Sequence, residues 1–258
     1  GTLAPTLRPP RSVGVHETPA MALHSDILGD TSTLATVVIG GIIVAIALAK
    51  IARGPSHAHA FEAVVHARYA CKEFNAGREV PEALLTKLIE LTQRSPTSFN
   101  TQPWSAVIVR SPEAKAKLVA SLAPGNQPKA ESAPVNIVFI SDTEPEKLLS
   151  PSTPDFVRNA LPVFLGQAST PEAWAWKQTM TAAQTFMLAA TAHGLATNPM
   201  EGFKSMQAVR DAVGLPPRYS VPVVISLGYE KAPRPKVSTR NDPEAMWHYD
   251  TFTQRGKA

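Results

Sequence analysis

The spacing of apolar residues changes near residue 55, and each side of that point predicts a different kind of structure. Residues 34–49 are almost entirely Val, Ile, Leu, Ala and Gly, and residues 31–49 carry no charge. After residue 55, apolar residues recur at helical spacing in some segments and form short continuous runs in others. The sequence therefore predicts one uncharged helix, followed by a domain in which helices alternate with buried strands.

The domain after residue 55 carries signals for four helices and three strands. Proline opens several of the helices, Thr170 precedes one as an N-cap, and Gly194 and Gly214 stand where C-terminal caps belong. The predicted helices cover residues 81–92, 112–122, 171–193 and 204–213, and the predicted strands cover residues 106–109, 135–140 and 221–227. Helices packed against a central sheet predict an α+β or α/β sandwich.

The longest predicted helix, residues 171–193, has no acidic or basic residue between Lys177 and His193. A membrane span is the rival interpretation of such a segment. Its many Thr and Gln side chains are too polar for contact with lipid. We therefore expect a helix that is buried in protein, for example at a dimer interface.

The uncharged segment before residue 55 has the length of a membrane span. Nineteen helical residues rise roughly 28 Å, close to the thickness of a hydrocarbon core. A buried core helix and the apolar region of a signal peptide are the alternatives, but about thirty residues precede the segment and the chain starts at Gly1. We predict an extended leader over residues 1–30 and a transmembrane helix over residues 31–53, with membrane contact through residues 31–49.

The charges that flank this segment predict its orientation. Asp26 and Asp30 precede it, whereas Lys50 and Arg53 follow it. The positive-inside rule then places the C-terminal domain on the cytoplasm-like side, although basic residues in the leader oppose this. We predict the mitochondrial inner membrane with the domain in the matrix, and a plastid membrane is the alternative.

Composition limits the remaining possibilities. With 258 residues, of which 44% are hydrophobic, the chain can bury about one domain core plus extensions. The net charge is +4, but the basic residues are scattered, so a nucleic-acid partner is not expected. The single cysteine, Cys71, excludes an internal disulfide and a Cys-based zinc site, and we interpret it as a small packing residue.

Residues 95–104 carry the most informative local pattern. The run Ser-Pro-Thr-Ser-Phe-Asn-Thr-Gln-Pro-Trp sets Asn100 and Gln102 between two prolines, after a predicted helix and before a predicted strand. Each amide offers donors and acceptors, and the prolines restrict the backbone around them. The segment is predicted to present a fixed polar edge to a planar ligand such as a flavin ring. An ordinary turn with polar filler is the alternative.

Three further clusters follow the same logic. Arg68 and Lys72 lie four residues apart and, on a helix or turn, would face one anion such as a phosphate. The run Asn-Pro-Met-Glu-Gly-Phe at 198–203 precedes a predicted helix, so its backbone N–H groups can point at an electron-rich ligand atom. Gly228 and Tyr229 end a strand and precede basic residues at 231, 234 and 236. Each cluster alone is also explained by a solvated basic face or a turn, but their joint occurrence is more specific.

Taken in order, these segments resemble the FMN-dependent nitroreductase family, in particular its enterobacterial oxygen-insensitive branch with a Pro-x-Glu-Gly-Phe turn. The resemblance runs from about residue 61 to the C-terminus and rests on residues 68–74, 95–104, 177–178, 193–203 and 221–234. It implies a nitroreductase-like α/β/α sandwich around a mostly antiparallel sheet over residues 55–258, an α+β fold. It also implies an intertwined homodimer with one FMN at each of two interfacial sites.

The resemblance further implies which residues bind the cofactor. Arg68 and Lys72 would hold the phosphate and the polar edge of the ring, and Arg234 would complete the phosphate site. Residues 96–102 would reach the flavin in part from the other subunit, and the amides of the 199–202 turn would lie near N5. The implied FMN-binding residues are Arg68, Tyr69, Ala70, Lys72, Pro96, Thr97, Ser98, Asn100, Gln102, Gln178, Pro199, Met200, Glu201, Gly202 and Arg234.

Such a site implies a membrane-anchored flavoprotein oxidoreductase. FMN takes hydride from NADH or NADPH and passes electrons to a nitroaromatic or quinone acceptor, so neither a catalytic side chain nor a metal is expected. The alternative is an accessory subunit of an organellar respiratory membrane complex, with FMN retained or lost, favoured by the small-residue face at 41, 45 and 49. A narrower alternative is an iodotyrosine deiodinase, whose lid of Glu, Tyr and Lys is not evident between residues 142 and 169.

Two positions depart from the pattern of that family. Ala70 stands where the family usually has a hydroxyl residue near the phosphate, and Ala232 stands where it often has a lysine. Each departure removes a hydrogen bond, and each loss would weaken binding of the cofactor by about 1 to 3 kcal/mol. Lys231 and Lys236 are the candidates to compensate. Residues 142–169, which help to cover the substrate in the family, are also shorter than in the enterobacterial branch.

Overall fold

The computed structural model describes residues 36–45, 56–232 and 238–252. Contacts divide the chain between Ala60 and Phe61, a few residues after the predicted boundary. Residues 36–45 form a helix, α1. Within the described ranges, no helix has the length and apolar character needed to cross a membrane. The predicted leader and the rest of the predicted span, residues 31–35 and 46–53, lie outside the described residues.

Helices flank a single sheet in the part that follows. Their starts agree with local chemistry: the Thr170 hydroxyl accepts the Ala173 N–H at 3.0 Å, and Ser111 and Ser205 cap two other helices in the same way. The helices are α2 (His57–Ala67), α3 (Glu82–Thr92), α4 (Pro112–Ser121), α5 (Gln127–Ser132), α6 (Asp155–Gln167), α7 (Pro171–Ala192), α8 (Met206–Val213) and α9 (Pro243–Met246). The strands are β1 (Trp104–Val109), β2 (Val135–Asp142), β3 (Ala196–Met200) and β4 (Tyr219–Gly228).

The four described strands form one antiparallel sheet in the order β1-β2-β4-β3. In the central pair, Val138 lies opposite Val224, and the outer strands add Val107 and Met200 to the same row. β1 and β3 are therefore the two edges of the sheet. They are three strand spacings apart, about 14 Å.

Side chains that alternate along the strands build one apolar layer on each face of the sheet. One face packs Phe139 and Ile225 against α3 and α7. The other face packs Val138 and Val224 against α4, α5 and α8. The result is a three-layer α/β/α sandwich with an antiparallel sheet, which confirms the predicted α+β fold.

The helix α7 is the segment for which a membrane span was the rival interpretation. Its buried residues include Trp174, Thr179 and Phe186, and the Thr179 hydroxyl is hydrogen-bonded to that of Ser141 at 2.6 Å. The helix ends at Gly194, whose φ of +74° allows the left-handed cap that was predicted there. The expectation of a helix buried in protein is confirmed.

The sequence analysis missed five of these described elements, namely α2, α5, α6, α9 and β3, and two of them show why. Residues 198–203 were predicted as a turn before a helix, but β3 covers Ala196–Met200 and the following helix begins at Met206. Pro199 is tolerated there because β3 is an edge strand. The second missed element is α6 (Asp155–Gln167), whose internal Pro162 disguises its helical pattern.

Candidate functional site

The chain that follows α2 runs beside the edge strand β3 at Ala70 and Cys71. Ala70 and Thr197 form an isolated parallel bridge, and the Cys71 N–H donates to the Thr197 carbonyl oxygen at 2.9 Å. The Arg68 N–H still donates to the Val64 carbonyl oxygen at 3.0 Å, at the end of α2. The predicted cations Arg68 and Lys72 therefore flank the short stretch that runs beside β3, rather than sharing one face of a helix.

In the same segment, the side chains of Tyr69 and Cys71 have structural roles. Cys71 is buried with Phe74, and Tyr69 packs against the same cluster. The Tyr69 hydroxyl donates to Glu230, and burial together with this hydrogen bond raises the pKa of Tyr69. Burial likewise raises the pKa of the Cys71 thiol. Tyr69, an implied flavin ligand, thus uses its side chain to hold the segment in place.

Two polar side chains that the sequence analysis missed, Asn126 and Lys129, lie near Lys72. Asn126 donates through Nδ2 to the Gly202 carbonyl oxygen at 3.0 Å, and Lys129 donates through Nζ to Asn126 Oδ1 at 3.0 Å. Burial lowers the pKa of Lys129, and the positive charge of Lys72 lowers it further. The two ammonium groups therefore repel one another, an arrangement that an anionic ligand would stabilise.

The turn that follows β3 lies against α5. Asn126 approaches Gly202 so closely that a Cβ atom on Gly202 would stand 2.9 Å from Asn126 Nδ2. Glu201 and Gly202 are exposed, whereas the Met200 side chain is buried in the core. Met200 can therefore contribute only its backbone to a ligand. We call Arg68, Lys72, Asn126, Lys129 and the turn 199–202 the β3-edge group.

The loop before β1 has a strained backbone. Phe99, Asn100 and Gln102 have φ angles of +53°, +53° and +47°. Left-handed backbone costs roughly 1 to 2 kcal/mol for a residue other than glycine, and such strain concentrates at functional sites. Asn100 and Gln102 are exposed in this conformation. The loop therefore exposes both amide residues, and their contact with a planar ligand stays a prediction.

Hydrogen bonds from α7 hold this loop in position. Gln178 Oε1 accepts the Ser98 N–H at 2.9 Å, and the Thr181 hydroxyl donates to the Pro96 carbonyl oxygen at 2.9 Å. Within the loop, the Thr97 hydroxyl accepts the Gln102 N–H at 3.0 Å. Gln178 and Thr97, both implied flavin ligands, thus orient the loop. We call residues 96–102 and Gln178 the β1-edge group.

The two groups lie at opposite edges of the sheet. The β1-edge loop leads into Trp104 at the start of β1, and the β3-edge turn follows Met200 at the end of β3. About 14 Å separates these edges. The described site residues are thus gathered into two groups rather than one.

The remaining implied ligand, Arg234, follows β4 in the sequence. Arg234 and Lys236 lie outside the described residues. Lys231 donates to Glu73 Oε1 at 2.5 Å on the surface, so this candidate replacement for the missing lysine at Ala232 is engaged in an ion pair. Asn126 and Lys129 could have been found from their spacing, because one helical turn separates them just before a buried strand.

A model of the Nitroreductase family matches residues 65–229, which is more than half of the chain. The chain belongs to this family. A Thermus thermophilus protein named NADH dehydrogenase is 32% identical over 161 residues, 58% of this chain and 77% of the relative. A Stutzerimonas stutzeri protein with the provisional name NADH dehydrogenase/NAD(P)H nitroreductase is 34% identical over 155 residues, 60% of this chain and 78% of the relative. The finer resemblance to the enterobacterial branch stays a prediction.

Solved structures share the fold. A nitroreductase family protein from Streptococcus pneumoniae superposes with a TM-score of 0.65 at 23% identity, over 73% of this chain and 98% of the other. A protein from Exiguobacterium sibiricum, described as a nitroreductase in complex with FMN, gives 0.65 at 22% identity, over 73% and 96%. At these identities the likeness establishes the fold.

Proposed function

We propose that this chain is an FMN-dependent NAD(P)H oxidoreductase that reduces nitroaromatic or quinone acceptors. The observation that carries the proposal is the pair of 3.0 Å hydrogen bonds that links Lys129 through Asn126 to the exposed Gly202 turn, with Lys72 close enough to affect the charge of Lys129. Two cations held close together favour an anionic ligand. The names of the relatives support an NAD(P)H-linked oxidoreductase.

The residues of the β3-edge group fit FMN. Arg68 and Lys72 offer charge-assisted hydrogen bonds to a phosphate or to the polar edge of the ring. Lys129 and Asn126 add a cation and an amide that are hydrogen-bonded to each other at 3.0 Å. A Cβ atom at Gly202 would stand 2.9 Å from Asn126 Nδ2, so glycine here keeps Asn126 in place and leaves the backbone of the turn open to close approach by a flat ring.

When bound, FMN supplies two-electron chemistry, taking hydride from NAD(P)H and passing electrons to an acceptor. The protein residues bind and orient. Arg68, Lys72 and Lys129 fix the cofactor through charge, and Asn100 and Gln102 offer donors and acceptors to its ring edge. The strained backbone of the loop at residues 96–102 keeps these amides exposed in one conformation.

A second copy of the chain would complete the site, because the two groups lie at opposite edges of one sheet. Two further observations support a homodimer. A cavity of about 330 Å³ opens beside the edge strand β1, lined in part by Ile89 and Ile108. The C-terminal segment leaves Trp247, Tyr249 and Phe252 between 74% and 91% exposed. Apolar surface of this kind is expected to be covered by another chain.

Membrane attachment through residues 31–53 is a separate proposal that rests on the sequence. It includes the mitochondrial inner membrane, with the family domain in the matrix. Alkaline carbonate extraction of isolated membranes tests it: retention of the 258-residue chain in the pellet is expected, and release into the supernatant contradicts the anchor. The alternative of an accessory subunit in a membrane complex likewise rests on the sequence.

The experiment that tests the proposed function is a visible absorption spectrum of the purified protein after incubation with FMN, followed by anaerobic addition of NADH and then NADPH. We expect a flavin spectrum that persists through gel filtration and is bleached by at least one of the two nucleotides. Retained flavin that neither nucleotide bleaches would contradict the oxidoreductase. No retained flavin would contradict the cofactor assignment.

A further inference from the structure

A cavity of about 550 Å³ opens where the end of β1 meets the helices α4 and α5. Its lining includes two basic residues, Arg110 and Lys115, together with the acidic residue Glu131 and the apolar residues Ala116 and Val119. No lining residue belongs to the β3-edge group or to the β1-edge group. The chemistry of this cavity is therefore separate from that of the proposed cofactor site.

The amine of Lys115 is fixed on the wall of this cavity. Lys115 lies on α4, and its Nζ donates to the carbonyl oxygen of Ala133 at 2.7 Å, just after the end of α5. Ala133 is fully buried, and Lys115 itself is partly buried. Lys117 of the same helix differs, because 61% of its side chain is exposed and it forms an ion pair with Glu113 at 2.7 Å. The Lys115 amine is therefore held in one place, with less water around it than a surface lysine has.

This environment favours the neutral form of the amine. Removal from water disfavours an ammonium ion, and burial accordingly lowers the pKa of Lys115, although the carboxylate of Glu131 opposes this effect. Arg110 adds a second positive charge to the same lining. An ammonium group has three N–H donors, so the neutral amine keeps two and can retain its hydrogen bond to Ala133. Its lone pair is then available, as a nucleophile requires.

We propose that Lys115 is a site of covalent acylation and that the donors are acyl phosphates. Arg110 supplies the cation that binds the phosphate group of the donor. A guanidinium has five N–H donors, so Arg110 can bind a phosphate while it keeps its ion pair with Glu82. Ala116 and Val119 provide apolar surface for the acyl group. The modification does not require the proposed flavin chemistry.

The step is a transfer of the acyl group from oxygen to nitrogen. The neutral Lys115 amine attacks the carbonyl carbon of the acyl phosphate, and a C–N bond forms. The bond from that carbon to the bridging oxygen breaks, and its electron pair leaves with the phosphate. The proton that the amine loses ends on the released phosphate as hydrogen phosphate. Nothing is oxidised or reduced, and the product is an uncharged amide at Lys115.

Mass spectrometry that resolves each lysine tests this assignment on the 258-residue protein. One sample is treated briefly with acetyl phosphate and another with N-succinimidyl acetate, which is uncharged. At neutral pH we expect Lys115 to be acetylated about fivefold faster than Lys117, the matched control within the same molecule. With the uncharged reagent, the rate at Lys115 should level off at a lower pH than the rates at exposed lysines, because the neutral fraction of an amine stops rising above its pKa.

A substitution at Arg110 tests recognition of the phosphate. Arg110→Ala should lower the rate at Lys115 about fivefold with acetyl phosphate and less than about twofold with N-succinimidyl acetate. Arg110→Lys keeps the charge and should retain most of the rate with acetyl phosphate. In the wild-type protein, inorganic phosphate should slow the acetylation of Lys115 by acetyl phosphate more than that of Lys117.

Three results would overturn the proposal. A rate at Lys115 no higher than that at Lys117 with acetyl phosphate would mean that the cavity does not activate the amine. Equal losses with the two reagents in Arg110→Ala would mean that Arg110 does not recognise the phosphate. If Arg110→Ala does not fold, the competition with inorganic phosphate decides this point, and equal slowing at Lys115 and Lys117 would contradict a phosphate site in the cavity.

Discussion

The β3-edge group and the β1-edge group differ in the forces that they can apply. The first holds Lys129 beside an exposed turn through Asn126, and the charge of nearby Lys72 opposes that of Lys129, a repulsion that an anion would relieve. The second has no charged side chain and depends on amides held in a strained backbone. Positive charge favours binding of the phosphate and of the electron-rich edge of a cofactor. Fixed amides can orient a flat ring by hydrogen bonds to its edge. The proposed site therefore combines both groups, and one sheet separates them.

The largest expected effect comes from disrupting the two groups in two different variants and then combining these variants in mixed dimers. Homodimers of Lys72→Ala/Lys129→Ala and of Asn100→Ala/Gln102→Ala should each retain little FMN. After the two variants are unfolded together and refolded, about half of the dimers should be mixed, each with one intact site of two. The mixture should then retain about a quarter of the wild-type flavin. Flavin absorbance after gel filtration is the measurement.

The control for this restoration is each variant refolded alone, which should stay empty. If one chain supplied both groups of a site, every chain in the mixture would still carry a defect. Flavin retention in the mixture would then equal the average of the two separate variants. That result would contradict the division of the site between two copies.

The second largest expected effect is on FMN affinity and depends on the charge of Lys129. An anion favours the protonated lysine, so FMN affinity should be highest below the pKa of Lys129 in the free protein and should fall as pH rises through it. Burial and Lys72 lower this pKa, so the fall begins at a lower pH than for an ordinary lysine. Lys129→Ala should weaken FMN binding about tenfold at neutral pH and should lose this contribution to the fall.

Titrating FMN affinity against pH in Lys129→Arg separates this contribution from ionisation of the flavin. The arginine keeps its charge throughout the range, so only the flavin's own contribution should remain. Lys117→Ala is the matched control, because Lys117 is an exposed lysine paired with Glu113 at 2.7 Å on α4. A profile that Lys129→Arg shares with the wild type would exclude Lys129 from the site.

The fold was largely predictable because its signals are local. Prolines at helix starts, the cap at Thr170 and the buried runs of β2 and β4 all identified elements that the structure contains. β3 was missed because Asn198 and Pro199 are poor strand formers, and only pairing with β4 makes this segment a strand. Tertiary pairing of this kind leaves no local signal.

The candidate site was predictable by residue type but not by arrangement. The amides of the loop at residues 96–102 were identified from their proline-restricted backbone, yet the left-handed conformation of Phe99 has no sequence signal of its own. Lys129 was not identified as a candidate ligand because its proposed role depends on its proximity to Lys72. Lys72 is 57 positions earlier in the chain, so sequence spacing does not show that the two residues are close. The role of Gln178 as a support for the loop likewise depends on a contact across the fold.

A smaller effect is expected where α7 supports the loop. Gln178→Leu removes the acceptor of the Ser98 N–H and should lower the free energy of unfolding by about 1 kcal/mol, or a few degrees in Tm. Gln178→Glu keeps an acceptor oxygen and should preserve the stability. Gln184→Leu changes an exposed glutamine of the same helix and serves as the control. Equal losses in Gln178→Leu and Gln184→Leu would show that the hydrogen bond does not stabilise the loop.

The smallest expected effect tests the close approach in the β3-edge group. A Cβ at Gly202 would stand 2.9 Å from Asn126 Nδ2, the end of a flexible side chain. Gly202→Ala should therefore displace Asn126 and, through it, Lys129, raising the dissociation constant of FMN roughly two- to fivefold with little change in stability. Gly125→Ala is the matched control, because nothing lies within 4 Å of a Cβ at that position. Equal affinities in the two variants would mean that the Asn126 contact does not position the cofactor, and the site would then depend on the charges of Arg68 and Lys72.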